Sequence, residues 1–373
     1  MNIPIMRKID RYTGIAAVTI QGLLRGRREL PKKPKRILII KLFGFGNFIF
    51  LAPTVKAIRK IYPGAKIDVL TYRQNEEICR LYPGLYDRVH AIRFSVGSMA
   101  AQIPLFCARS FGRYDLAIDF EQFVRLSAII GGFCQPKYFM GVATRNSGKA
   151  RAFDTMINYP EKRHIVEEYY EAAKYLAKSL GKRIDDSPKL IAPEATGTAR
   201  VKRLLQKAGR RAMIGVCPGG RADDAERRYP REKLARALEL LLGKKPETAI
   251  FLVGSKSEKK DIEFIISKMP KGSCIDASGL SLGESAALVS RMRAFVSNDT
   301  GPLHLAASLG VHCIGLFGPS KEWIYGPYTD KKTILRDRAH RPIRSNHNEK
   351  NLGWPQEWWP RPADVASGIA RVG

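Results

Sequence analysis

The sequence of 373 residues has no Cys-x-x-Cys pair; Cys79, Cys107, Cys134, Cys217, Cys274 and Cys313 are scattered along it. That excludes the common zinc spacings and argues against a secreted disulfide scaffold. It fits small buried side chains in a reducing compartment. No apolar run reaches the roughly 18–20 residues that cross a bilayer. The two familiar phosphate motifs, G-x-x-x-x-G-K-[ST] and a complete G-x-G-x-x-G, are missing. No His/Asp cluster has metal-ligand spacing, and nothing marks a nucleophile elbow. Acidic residues are few: 35 Asp and Glu stand against 64 Lys and Arg, a net charge of +29. That balance implies an anionic partner: nucleic acid, anionic lipid or a phosphorylated substrate. No helix-turn-helix, RRM or zinc pattern supports a specific nucleic acid. With 45% hydrophobic residues the chain is not disordered, and its length suits two domains.

Residues 1–36 carry ten basic side chains and two acidic ones. The segment is not a convincing signal peptide, because its apolar stretch is short and no small-residue cleavage site follows. Ile9, Tyr12, Ala16, Ile20 and Leu23 share one helical face, flanked by Arg7, Lys8, Arg11, Arg25, Arg27 and Arg28. Such a helix suits an anionic membrane surface, its arginines and lysines meeting headgroups at roughly 1 kcal/mol each. The plainer reading is that it docks on the protein itself. Pro31-Lys-Lys-Pro-Lys-Arg36 reads as a linker, so residues 1–35 form an arm.

Two alternating α/β halves follow. Arg36–Leu42 is an apolar, β-branched run that predicts a buried parallel strand, followed by the turn Gly44-Phe-Gly46 and a helix over Asn47–Tyr62. Lys66–Leu70, Arg88–Ile92 and Asp115–Asp119 predict further strands. After about residue 195 the pattern restarts: strands over Ala212–Val216, Thr248–Val253, Ala294–Ser297 and Cys313–Phe317, helices over Pro230–Leu242 and Pro302–Leu309. Both halves read as doubly wound sheets, over 36–194 and 195–345, with a tail over 346–373 that ends in a helix and packs back across the domains. Ligands of such sheets bind at the carboxyl ends of the strands.

Two strand-to-helix turns in the second half suit an anion. In Val296–Gly310 a strand ends at Asp299 and Thr300, Gly301 admits a ligand to the backbone, and Pro302 suits a first helical turn. The amides and positive end of that helix form an anion site, with His304 one turn in. The alternative is a capped structural helix with His304 in the core. The loop Pro218–Pro230 supplies Gly219, Gly220, Arg221, Arg227 and Arg228, side chains and backbone suited to phosphate oxygens; its alternative is a solvated basic loop.

These residues resemble glycosyltransferase family 9, which includes the ADP-heptose:lipopolysaccharide heptosyltransferases. The resemblance runs from about Arg36 to Tyr328. Its strongest marker is Ser297-Asn-Asp-Thr-Gly-Pro-Leu-His304, followed by Gly310-Val and Leu316-Phe-Gly-Pro319. Ile214-Gly-Val-Cys-Pro-Gly-Gly220, with Arg228-Tyr-Pro230 beyond, is similar to the family's loop before a Lys-Arg-Trp-Pro element. Arg227 stands where the phosphate-binding Lys usually sits, and Val253–Glu258 is similar to the segment whose Glu contacts the donor nucleoside. The resemblance implies the α/β GT-B architecture: two Rossmann-like doubly wound domains facing a central cleft, donor in the second, acceptor in the first. It implies inverting, metal-independent transfer of a heptose-like sugar from an ADP-sugar to a lipopolysaccharide or other envelope glycan, with no cofactor. The enzyme would be cytoplasmic and peripheral on the inner face of the membrane. Donor contacts would fall to Gly219, Gly220, Arg227, Arg228, Glu258, Asp299, Thr300, Gly301 and His304, and the acceptor-side loop to Gly44 and Gly46.

One departure stands out. Where family members usually carry an Asp base after the Gly-x-Gly turn, this chain has Asn47, whose amide does not take a proton at neutral pH. Asp119 or Glu121, at the end of a strand of the first half, is a candidate substitute; the bland reading of both is a solvated strand end. Alternatively Asn47 orients the acceptor while substrate or water takes the proton, or the protein binds sugar nucleotide without transferring it.

Overall fold

Ile37 to Ile40 are all buried, as befits a central strand of a parallel sheet with both faces covered. The computed structural model describes residues 14–26, 28–144, 147–159, 162–219, 227–342 and 354–372. The expected residues Arg7, Lys8, Ile9, Arg11, Tyr12, Arg27, Gly220 and Arg221 lie outside them. The chain divides into two units, Met1–Lys189 and Leu190–Gly373. The division falls a few residues before the expected 195, because Leu190 already packs on the second core and the Thr196 amide bonds the Gly283 carbonyl.

The first unit runs α1 (Gly14–Arg25), β1 (Arg36–Ile40), α2 (Phe45–Ile61), β2 (Lys66–Tyr72), α3 (Glu76–Arg80), β3 (Arg88–Ile92), α4 (Val96–Ser110), β4 (Leu116–Asp119), α5 (Arg125–Phe133), β5 (Tyr138–Ala143), β6 (Thr155–Asn158) and α6 (Ile165–Ser179). The second runs α7 (Ala199–Gln206), β7 (Ala212–Cys217), α8 (Arg231–Lys244), β8 (Thr248–Leu252), α9 (Lys259–Ser267), β9 (Cys274–Asp276), α10 (Leu282–Val289), β10 (Ala294–Asn298), α11 (Gly301–Ser308), β11 (His312–Leu316), α12 (Glu322–Tyr325), β12 (Lys332–Leu335) and α13 (Pro362–Ala370).

The first sheet has the order β3-β2-β1-β4-β5-β6, and the second, read from β9, repeats it as β9-β8-β7-β10-β11-β12. All pairings are parallel; Ile37 faces Ile67 on one side and Leu116 on the other. The order reverses between β1 and β4, and between β7 and β10. Those are the switch points where a doubly wound sheet opens a crevice beyond its strand ends.

β1 stops at Ile40, short of the expected Leu42, because the next amides turn to other partners described below. β5, β6, β9 and β12 add strands that the sequence reading did not name. The tail helix α13 buries Val365, Ala366 and Ile369 in the second unit's core, alongside Leu234, Leu238 and Leu241 of α8.

The arm helix α1 lies on α5 and the short turn Ala150–Ala152. Its docking face is Gly14, Val18, Gln21 and Gly22, not the expected stripe: Gln21 Nε2 donates to the Ile129 carbonyl at 3.0 Å, and Gly14 abuts the Arg125 side chain. Ile20 and Leu23 of the expected stripe point outward. A Cβ at Gly22 would run into the Arg151 carbonyl. We expect Gly22→Ala to loosen α1 at a cost of about 1–3 kcal/mol. Limited proteolysis should then cut within residues 25–28 faster, with amide exchange in β1 and β4 unchanged.

Candidate functional site

At the first switch point the chain leaves β1 through Lys41–Gly44 and is held on every side. Leu42 N and Phe43 N both donate to Glu121 Oε1, at 2.7 and 2.8 Å. Lys41 Nζ, fully buried, lies 3.1 Å from the same oxygen. Asn75 Nδ2 donates to the Leu42 carbonyl at 2.8 Å, and the Phe43 ring packs edge-on against Tyr72 and Phe94. Gly44 takes φ +82°, a left-handed backbone that a side chain resists, and a Cβ there would press on the Asn47 amide. Gly46 is buried in the first turn of α2, and Asn47 Nδ2 donates back to the Phe43 carbonyl at 3.3 Å.

The carboxylates weighed as substitute bases are therefore not solvated strand ends, and Asp119 is closed off from solvent. Asp119 is completely buried: Oδ1 accepts from Glu121 N at 2.9 Å, and Oδ2 accepts from Ser127 Oγ and pairs with Lys149 Nζ, both at 2.8 Å. Lys149 also donates to the Glu121 carbonyl and to Ser127 Oγ. Burial pushes the Asp119 carboxyl above its ordinary range while Lys149 pulls it back. A raised value suits a base, but reach comes first, and this group has none to solvent or ligand. Glu121 spends its Oε1 on two amides and Lys41. The strand ends at Asp119, so the two carboxylates answer to different lysines and share no strand face. Two successive main-chain N–H groups after β1 are a ready anion cradle, and here the protein's own carboxylate fills it.

The second switch point has the opposite sense. Asn298 ends β10 and ties it to the loop after β7: its Oδ1 accepts from Tyr229 N at 2.9 Å and its Nδ2 donates to the Gly219 carbonyl at 3.1 Å. Arg227, largely buried, donates from Nη2 to both the carboxylate and the carbonyl of Asp299, and from Nε to Ser320 Oγ at 3.1 Å. His304 Nε2 lies 3.5 Å from Asp299 Oδ1. Thr300 precedes the first turn of α11 in extended conformation, with Pro302 in that turn. The amides of Thr300 and Gly301 stand at the positive end of this helix. Glu258 caps the turn after β8, with Ser255 N and Oγ both 2.7 Å from Oε2 and Ser257 Oγ 2.6 Å from Oε1. Gly219 lies flat against it, and a Cβ there would overlap the Glu258 side chain.

Gly219, Arg227, Glu258, Asp299, Thr300, Gly301 and His304 thus converge on the carboxyl ends of β7, β8 and β10. Arg228 turns aside, 3.7 Å from Asp261. His304 is buried, as its core reading has it, and its Nε2 faces Asp299. Sequence reasoning missed Lys41, Lys149, Asn298 and Ser320. Asn298 lay inside the quoted signature, and Ser320 directly follows Leu316–Pro319; the two lysines gave no signal. Among the described residues no group of three or more His, Cys, Asp or Glu side chains is arranged to hold a metal ion.

The profile described as Glycosyltransferase family 9 (heptosyltransferase) matches residues 109–353. The Lipooligosaccharide heptosyltransferase 2 of Haemophilus influenzae is 26% identical over 344 residues, covering 86% of this chain and 94% of its own. Among solved structures, the family 9 glycosyl transferase from Veillonella parvula superposes with a TM-score of 0.73 at 19% identity, covering 93% of this chain and 99% of that one. An Escherichia coli heptosyltransferase with ADP gives 0.65 at 19%, covering 91% and 100%. The chain belongs to glycosyltransferase family 9. It is a transferase of the heptosyltransferase-like kind, with the α/β fold of the GT-B class built from two Rossmann-like units.

Lys149→Met would leave Asp119 buried without its cation, and we expect a loss of about 3–5 kcal/mol. Adding Asp119→Asn should recover more than half of it. Urea unfolding, with exchange measured in β1 and β4, checks both; equal stability of the single and double variants would contradict the pairing.

Proposed function

We propose that the chain transfers a heptose-like sugar from an ADP-sugar to a lipopolysaccharide or related envelope glycan, with inversion and without a metal. The observation that carries the reading is the Arg227–Asp299–His304 arrangement at the start of α11. A leaving nucleoside diphosphate gathers negative charge, and the catalyst must meet it with fixed donors. The Thr300 and Gly301 amides, the helix end and Arg227 supply them in place of a cation. Arg227 also neutralises Asp299, which would otherwise repel the phosphates. Glu258, oriented by Ser255 and Ser257, offers acceptor oxygens suited to ribose hydroxyls. The heptose and the lipopolysaccharide follow the names of the relatives, and the ADP follows the Escherichia coli structure.

On the acceptor side, Asn47 orients the attacking hydroxyl, and water or a substrate oxygen takes its proton. Asp119 and Glu121 hold the loop that carries Gly44, Gly46 and Asn47. A second reading keeps the same site without turnover: a sugar-nucleotide-binding protein. Asn47, with Asp119 closed off in a buried ion pair and Glu121 Oε1 held by Lys41 and two amides, is what favours it. No described helix is long and apolar enough to cross a membrane. The basic segment 1–36 would hold the enzyme against an anionic membrane on the cytoplasmic side, where a lipid-linked acceptor is found.

Transfer from ADP-heptose to a water-soluble, deacylated acceptor tests the proposal. Arg227→Ala should lower kcat/KM by about 10²–10³. Asn47→Asp should raise kcat about tenfold or more, since a positioned base is typically worth ~10²–10⁴. Glu121→Gln should lower stability without abolishing turnover; abolition with the fold intact would restore Glu121 as the base. Thermal shifts with ADP-, UDP-, GDP- and dTDP-sugars should rank ADP first. A shift with ADP-sugar but no transfer by wild type or Asn47→Asp would favour the second reading.

A further inference from the structure

Helices α1, α4 and α5 contain no Asp or Glu. Of the other long helices, α2 also lacks acidic residues but is largely buried, while α6 carries Glu167, Glu168 and Glu171 beside Lys174 and Lys178, and α8 carries Glu232 and Glu239 among its basic residues. The same three helices and their ends hold six of the seven large apolar side chains exposed among the described residues: Ile20, Leu23, Val96, Leu105, Phe111 and Phe133. Scattered exposed apolar residues need no explanation; a concentration on one face does.

Four of the six surround the carboxyl end of α5. Gln21 of α1 bonds the Ile129 carbonyl and lies against Gly132, which brings Ile20 and Leu23 to that end. Gly112 N donates to the Cys134 carbonyl at 2.9 Å, which brings the backbone next to Phe111 to the end of α5 that carries Phe133. Ile20 is 57% exposed, Leu23 81%, Phe111 66% and Phe133 55%. Arginines rim the group: Arg109 and Arg113 are exposed on either side of Phe111, and Arg28 reaches the Pro136 carbonyl just beyond Phe133.

We propose that this face of the first unit is the surface on which the protein sits on an anionic lipid bilayer. Phe111, Phe133, Leu23 and Ile20 enter the boundary between headgroups and acyl chains, and Arg109 and Arg113 meet the lipid phosphates. The proposal rests on the transferase reading only for its purpose, which is to bring the acceptor-side unit to a lipid-linked acceptor. Charge selects the occupant. Segment 1–36, which contains α1, has ten basic residues against two acidic. A second copy seated on this face would set arginine against arginine with no carboxylate on any of the three helices to meet them. A bilayer bearing phosphates meets both needs at once.

Co-sedimentation of the full chain with vesicles tests this. Vesicles of phosphatidylcholine with one third phosphatidylglycerol should pellet the wild type, and phosphatidylcholine alone should not. Phe111→Ser with Phe133→Ser should lower the partition coefficient roughly tenfold or more. Arg109→Gln with Arg113→Gln should lower it several-fold and flatten its salt dependence. Both variants should match the wild type in melting temperature, in thermal shift with ADP-sugar and in transfer to a water-soluble acceptor. Undiminished partition in both double variants overturns the proposal. So does a wild-type dimer in sedimentation velocity that Phe111→Ser with Phe133→Ser dissociates, because the face is then a protein interface. If the wild type makes no transfer while the vesicle results hold, the transferase reading fails and the membrane surface stands.

Discussion

A carboxylate withdrawn from water has to be neutralised where it stands, and this chain meets that demand at the mouth of both sheets. In the first unit Asp119 is matched by Lys149, and Glu121 by Lys41 and two backbone amides. In the second, Asp299 is matched by Arg227. The strand order is the same in both, yet the electrostatic result is opposite. Glu121 occupies the donors that a phosphate would need after β1. Arg227 instead cancels the one acid beside α11 and leaves that helix end attractive to anions. One topology thereby yields a closed, self-filled switch point and a receptive one.

That division bears on the chemistry at Asn47. The loop before α2 is held by Glu121, Asn75, the Phe43–Tyr72 contact and the Gly44 turn, so its geometry does not depend on a ligand. Rigid placement of an acceptor lowers the barrier by orientation alone. Under the transfer proposed above, such a loop would tolerate the loss of a base at some expense in rate, whereas a loose one would lose the reaction. Under the proposed function the cluster around Arg227 would carry the larger electrostatic task, and there Arg227, Asn298, Asp299 and Ser320 are linked by hydrogen bonds and an ion pair to the ends of β7 and β10.

Much of this was readable beforehand. Long apolar runs named β1, β2, β7, β8, β10 and β11 to within about two residues, because a doubly buried strand has to be apolar throughout. The missed strands fail that criterion in different ways. β6, β9 and β12 have four, three and four residues and are partly exposed, too short for a period to show. β5 carries Met140 and Gly141 at its centre, where Gly141 makes room for the Phe153 ring. The donor-side residues followed from strand-to-helix grammar and the signature, but Asn298's stitching of β7 to β10 depends on strand pairing across the sequence. Lys41 and Lys149 were invisible for a different reason: a lysine in a loop ordinarily faces water, and only the buried carboxylates explain why these do not. For α1 the helical period was right; the face that docks on the protein is set by the close approach at Gly14 and Gly22, and Ile20 and Leu23 of the apolar stripe are left exposed.

The seat of α13 has a consequence for how the protein is made. Leu234, Leu238 and Leu241 of α8 share their core with Val365, Ala366 and Ile369, and also with Trp354 and Trp359. During synthesis α8 leaves the ribosome long before that cover exists, while the first sheet already has every strand it needs. Between those two moments a sticky, half-roofed intermediate persists. The interval is when chaperones have most to hold on to, and lesions in the final segment would show as poor yield before they showed as poor catalysis.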